Sequence, residues 1–241
     1  MKDMAKSRGS GKDGIAGRSL GRQTVIRVKT AKRRSAASTQ WLARQLNDPY
    51  VGEAKRQGYR SRAAFKLLQL DDRFHLLRLG SRVVDLGCAP GGWTQVAAER
   101  VKPGEGRHGI VVGIDILPMD PVPGATVIEL DFLAAGAPGR LKELLAGPAD
   151  LVLSDMAAPT TGHGSTDHLR IIALAEAAYD FAREVLAPGG SFLCKVFQGG
   201  AEGDLLAALK RDFQTVRHAK PPASRAESAE VYVVASGFRG R

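Results

Sequence analysis

From Ser81 onward the chain alternates short apolar runs with amphipathic stretches, and that alternation leaves few folds open. SRVVDLG (81–87), GIVVGIDI (109–116), ATVIELDF (125–132), ADLVLSD (149–155) and SFLCKVF (191–197) are short, rich in aliphatic residues and bounded by Gly or Asp, as buried strands are. TQVAAERV (94–101), residues 135–145, residues 168–186 and residues 204–211 carry helical spacing between them. Strands alternating with helices predict a largely parallel, doubly wound α/β sheet. FQTVRHAK (213–220) and EVYVVASGF (230–238) have no helix between them, so they are expected to pair antiparallel as a hairpin-like ending. The reading is a Rossmann-like fold with a seven-stranded, mostly parallel sheet and one antiparallel edge strand.

Upstream, residues 38–46 show helical spacing until Asn47, Asp48 and Pro49 interrupt it. A second short helix is expected over 50–57, ended by Gly58, and a third over 60–70 with Arg60 and Arg62 near its start. Residues 1–35 are Gly-, Ser-, Lys- and Arg-rich with little apolar periodicity, and read as a basic, disordered extension preceding a single domain over 36–241.

Charge follows the same division. The formal net charge is +10, yet residues 1–34 alone hold eleven Lys/Arg against two Asp. A basic block joined to a near-neutral domain suggests a polyanionic partner, since phosphate contacts release counterions and supply affinity without reading sequence. A solubilising tail is the bland alternative. No run of about 18 apolar residues is present, so no membrane-spanning helix is expected. The N-terminus lacks the apolar segment of a secretory signal. Two cysteines, Cys88 and Cys194, cannot build a disulfide framework, and the cytoplasm is the expected compartment.

The stretch VVDLGCAPGGWTQVA (83–97) places Asp85, Gly87, Gly91 and Gly92 at a strand-to-helix turn, where the backbone must bend sharply and lie close to a ligand. Its spacing is not G-x-G-x-x-G, which disfavours a dinucleotide. Acids recur at later strand ends: Asp115, Asp131 and Asp155. In open α/β sheets the ligand crevice lies at those carboxyl ends. An acid after the second strand can accept from both hydroxyls of an adenosine ribose, and Asp131 from an adenine amino group. A helix N-cap accounts for any single strand-end Asp; four in register are harder to explain that way.

Three charges occupy apolar surroundings: Lys66 within SRAAFKLLQL, Lys195 within SFLCKVF and Glu230 opening EVYVVAS. Such placement is expensive unless the charge is paired or functional, and a snorkelling lysine or a structural ion pair stays open for each.

Taken together, YRSRAAFKL, VVDLGCAPGGWTQ, DILPMDPVPG, LVLSDMAAP, LAPGGSFLCKVFQG and AEVYVVASG closely resemble the FtsJ family of RNA 2′-O-ribose methyltransferases, above all its bacterial members acting on large-subunit ribosomal RNA. The resemblance runs collinearly over residues 36–238. It implies a catalytic tetrad of Lys66, Asp155, Lys195 and Glu230. It implies S-adenosyl-L-methionine (AdoMet) contacts at Gly91, Trp93, Asp115, Asp131 and Asp155, with no metal. The activity implied is methylation of a uridine 2′-hydroxyl in 23S ribosomal RNA within the large ribosomal subunit, by a monomer; a transfer-RNA ribose methyltransferase is the alternative. Residue chemistry agrees: a ribose hydroxyl must lose its proton as it attacks a methyl group, and a neutral lysine can accept that proton.

Overall fold

A computed structural model describes residues 26–27, 29–30, 33, 35–102, 109–159, 161–198 and 203–240. The chain divides into two compact units, Met1–Pro49 and Tyr50–Arg241, so the division falls after the first helix. The expected disorder of residues 1–35 falls mostly outside the described residues.

In the first unit, helix α1 (Ala36–Asn47) is capped by the Ser35 hydroxyl, which accepts from the Ser38 amide at 3.2 Å. The Asn47 side chain closes its last turn by donating to the Ala43 carbonyl, and it pairs in both directions with the Ile26 backbone.

The second unit is built around a sheet flanked by helices. In chain order its elements are α2 (Pro49–Gln57, whose first residue belongs to the other unit), α3 (Ala64–Phe74), β1 (Arg82–Leu86), α4 (Gly92–Val101), β2 (Ile110–Asp115), β3 (Thr126–Glu129) and α5 (Ala137–Leu145). There follow β4 (Ala149–Ser154), α6 (Gly164–Val185), β5 (Leu186–Phe197), α7 (Gly203–Asp212), β6 (Phe213–Ala219) and β7 (Glu230–Phe238). The strand order is β3-β2-β1-β4-β5-β7-β6. Strands β1 to β5 pair in parallel, and β7 runs antiparallel to both β5 and β6. The expected antiparallel ending is therefore present, with β7 inserted one place in from the edge and β6 taking the edge itself.

Side-chain alternation along the strands separates two apolar layers. Phe192, Cys194 and Val196 of β5 and Val231, Val233 and Ala235 of β7 pack toward α5, α6 and α7. Leu193 of β5 with Tyr232 and Val234 of β7 pack toward α3 and α4. The helices that close each layer owe their stability to this packing more than to propensity.

Candidate active site

Strand periodicity brings the polar group together. Lys195 and Tyr232 are direct partners across β5 and β7, and Phe197 faces Glu230. A period of two puts Lys195 on the face of Leu193, and Glu230 on the face of Tyr232, both toward α3. Helix α3 presents Lys66 to the same face from between Phe65 and Leu67. Asp155 follows β4 directly, where Ser154 pairs with Cys194.

Two ion pairs result. Lys66 Nζ lies 2.7 Å from Glu230 Oε1 and donates to Oε2 at 2.9 Å. Lys195 Nζ lies 3.2 Å from Asp155 Oδ1 and donates to the Asp155 carbonyl at 2.7 Å. The Tyr232 hydroxyl joins them: it accepts from Lys66 Nζ at 3.2 Å and donates to Asp155 Oδ1 at 3.0 Å. Ser224 Oγ completes the group by donating to Glu230 Oε1 at 2.9 Å. All four predicted charged residues thus converge, with two cations and two carboxylates in balance.

Burial makes this balance necessary. Lys66 is 9% and Lys195 8% exposed, and removing one member would leave an uncompensated charge at high cost. Burial by itself would raise the Glu230 carboxyl, but Lys66, Lys195 and the Ser224 hydrogen bond outweigh it and hold Glu230 below the usual carboxylate range. Burial, followed by the charges of Asp155 and Glu230, pushes the Tyr232 phenol well above its usual value. Tyr232 therefore stays a neutral hydroxyl that can donate and accept at once.

The glycine turn lies beside this group. Gly91 has φ +108°, and a Cβ there would stand 2.8 Å from Met119 Cε and 2.9 Å from an Arg60 guanidinium nitrogen. Gly87 has φ +76°, with space for a Cβ closed by the Met156 backbone at 2.8 Å. No other residue suits either position. Beneath the turn, Asp85 is fully buried; Oδ2 accepts from Thr94 Oγ1 at 2.7 Å and Oδ1 has no partner among the described residues. Burial, against the Thr94 hydrogen bond and reinforced by Asp155 and Asp115, pushes the Asp85 carboxyl up to about 7.

The other strand-end acids are arranged differently. Asp115 accepts from the amides of Ala89 (2.8 Å) and Leu117 (2.9 Å), which spends one lone pair on each oxygen and leaves another free on each. Asp131 is exposed and accepts from the Leu133 amide at 2.9 Å. Trp93 donates its indole N–H to the Ala63 carbonyl at 2.9 Å and packs against the Tyr232 ring at 5.6 Å, so its ring is committed to the layer between α3, α4 and β7. Arg60 and Arg62 spend their guanidinium groups on backbone carbonyls.

Sequence reasoning missed Tyr232 and Ser224. A tyrosine inside VYVVAS looks like ordinary strand core, and its cross-strand register with Lys195 was the one signal that could have singled it out.

The model of the FtsJ-like methyltransferase family matches residues 59–238. A protein of Parvibaculum lavamentivorans called "Ribosomal RNA large subunit methyltransferase E" is 64% identical over 237 residues, covering 96% of this chain and 93% of its own. One of the same name from Paramagnetospirillum magneticum is 66% identical over 242 residues, covering 99% and 96%. Among solved structures, a ribosomal RNA methyltransferase of Plasmodium falciparum aligns with a TM-score of 0.67 at 33% identity, covering 76% of this chain and all of that one.

Proposed function

Because the chain belongs to the FtsJ-like methyltransferase family, we propose that it transfers the methyl group of AdoMet to the 2′-hydroxyl of a uridine in 23S ribosomal RNA, acting on the large ribosomal subunit. The observation that carries this reading is the buried Lys66–Glu230 and Lys195–Asp155 pair of ion pairs, bridged by Tyr232 at the carboxyl end of the sheet.

AdoMet, when bound, supplies a sulfonium-activated methyl group and leaves as a neutral thioether. The residues present fit it: the turn at Gly87 and Gly91 brings backbone close to a ligand, Asp115 keeps a lone pair on each oxygen for two ribose hydroxyls, and Asp131 offers an exposed acceptor nearby along the same edge. Lys195, as a neutral amine that has first given up its own proton to solvent, is the residue that takes the proton of the ribose hydroxyl. Asp155 holds the Lys195 nitrogen through both its carbonyl and its carboxylate, and so sets the direction from which that nitrogen meets the acceptor. Lys66, neutralised by Glu230, is a fixed cation that favours an acceptor oxygen developing negative charge. Positioning supplies much of the rate in such a transfer, which needs no metal.

Residues 36–241 would form the catalytic domain of a cytoplasmic monomer, and the basic residues 1–35 would add affinity for RNA that does not depend on base sequence. No helix among the described residues is long and apolar enough to cross a membrane.

The test is to incubate the protein with labelled AdoMet and large ribosomal subunits isolated unmodified, then map ribose methylation. A single 2′-O-methyluridine in 23S RNA is expected. Label on a base, or on transfer RNA in preference to the subunit, would overturn the proposal.

A further inference from the structure

Arg60 and Arg62 precede Lys66 in the segment RSRAAFK, where a polyanionic substrate would be expected to find them. Neither guanidinium is spent that way. Arg60 donates to the Asp120 carbonyl at 2.6 Å, the Pro121 carbonyl at 2.6 Å and the Pro90 carbonyl at 3.3 Å. Pro90 belongs to the glycine turn after β1, while Asp120 and Pro121 belong to the connection after β2. One planar fork thus spans the two loops expected to hold the cofactor, and it fills the space that a side chain at Gly91 would need. The Arg60 amide is itself held at 2.8 Å by Gln95 of α4, whose amide nitrogen also donates to the Gly58 carbonyl at 3.1 Å.

Arg62 reaches a different connection, the one between β6 and β7. It donates to the Ala223 carbonyl, and the Ala223 amide donates to Gln69 of α3 at 2.7 Å. Ala223 precedes Ser224, whose hydroxyl holds Glu230, the partner of Lys66. The β6–β7 connection is therefore fastened at both the amide and the carbonyl of Ala223, to Gln69 of α3 and to Arg62 just before that helix, next to the residue that orients Glu230.

We propose that Arg60 and Arg62 are positioning residues with separate targets: Arg60 sets the geometry of the cofactor loops, and Arg62 sets the geometry of the Lys66–Glu230 pair through Ser224. This rests on the functional reading above. Both arginines, which composition alone would give to RNA phosphates, thus act as main-chain clamps. Replacing the three-carbonyl fork of Arg60 by a methyl removes the contacts that tie Asp120 and Pro121 to Pro90, so the loss falls on the cofactor site those loops form.

The experiment measures AdoMet affinity by calorimetry, kcat at saturating AdoMet on large ribosomal subunits, and the salt dependence of RNA binding for wild type and four variants. Arg60→Ala is expected to weaken AdoMet roughly tenfold while kcat stays within about twofold. Arg62→Ala is expected to leave AdoMet affinity unchanged and lower kcat roughly tenfold. Arg60→Lys and Arg62→Lys, which keep the charge but lose the fork, are expected to recover only part of each loss and serve where an alanine variant does not fold. Log-log salt slopes should coincide for all five proteins. A slope flattened by about one unit in either alanine variant would assign that arginine to a phosphate and overturn the proposal. So would an Arg60 variant with wild-type AdoMet affinity, or an Arg62 variant whose loss appears in AdoMet affinity. Failure of the wild type to methylate ribosomal RNA would strike the functional reading alone, since the AdoMet affinities still judge the Arg60 clamp.

Discussion

Asp115 at the end of β2 and Asp131 after β3 accept from backbone amides within their own loops or the adjacent turn, whereas Asp155 after β4 and Glu230 at the start of β7 are met by side chains from α3, β5, β7 and the β6–β7 connection. The first pair keeps lone pairs free and stands half-buried or exposed; the second pair is consumed by Lys195, Lys66, Ser224 and Tyr232. Carboxylates gathered at one end of a single sheet are thus prepared for different work. Those held only by backbone can hand their remaining lone pairs to a ligand, and those locked into charge pairs can hold a base and an acceptor in register.

The contrast breaks most sharply at Lys195. Lys195→Ala should lower methyl transfer by at least ~10³-fold, within the range for loss of a positioned proton acceptor, while AdoMet affinity changes less than about threefold. Turnover retained near the wild-type level, measured with saturating AdoMet, would remove Lys195 from that role.

Asp85 sharpens the contrast, as an acid on the cofactor side that is buried like the tetrad yet has no cation beside it among the described residues. Its carboxyl is pushed up to about 7, well above the value near 4 of an unfolded chain. The folded state then binds the extra proton between about pH 4 and 7, so this group's contribution to stability is present below pH 4 and is lost as the pH rises through that window, with a slope of at most ~1.4 kcal/mol per pH unit. Asp85→Asn keeps an acceptor for Thr94 and should flatten the slope. Denaturant titrations at pH 5 and pH 8 without added cofactor check this, and parallel pH profiles for the two proteins would contradict it.

Asp115→Ala should weaken AdoMet by ten- to a hundredfold, about 1.5–3 kcal/mol, because the acceptor for two ribose hydroxyls is removed. The tetrad is untouched by this change, so kcat at saturating cofactor should hold. Unchanged calorimetric affinity would take Asp115 out of the site.

Tyr232→Phe keeps the ring against Trp93 and removes the hydroxyl between Lys66 and Asp155. Roughly tenfold lower kcat with intact AdoMet affinity is expected, the size of one hydrogen bond to a charged group. The smallest effect belongs to Asp131→Ala, a few-fold loss of AdoMet affinity, since Asp131 is exposed and bonds in its own loop. A loss as large as that of Asp115→Ala would erase the distinction drawn within the cofactor side.

Much of this architecture was legible beforehand because it is written in short periods. Near-continuous apolar runs mark β5 and β7 as strands covered on both faces, and apolar residues recur at helical spacing along α6; each such run closes its own backbone hydrogen bonds or finds a neighbouring strand. The strand-end acids stood out for the same local reason, and the buried charges stood out by breaking an apolar pattern. The placement of β7 inside β6 was not legible: a hairpin-like pairing is satisfied with either strand at the edge, and only the fit of β7 beside β5 decides the order.

What the sequence by itself determined, then, is the alternation of elements, the positions of the acids at strand ends, and the presence of charges in apolar runs that had to find partners. Which partner each charge found was decided by the tertiary structure. Lys66 meets Glu230 across 164 residues of chain, and Tyr232 meets Asp155 across 77, at about 3 Å. Arg60 and Arg62, two positions apart, reach carbonyls 60 and 161 residues away on two different connections. Hydrophobic periodicity acts between neighbours and is visible in any window of the chain, but a hydrogen bond between distant side chains exists only at a separation of about 3 Å, which no local pattern encodes.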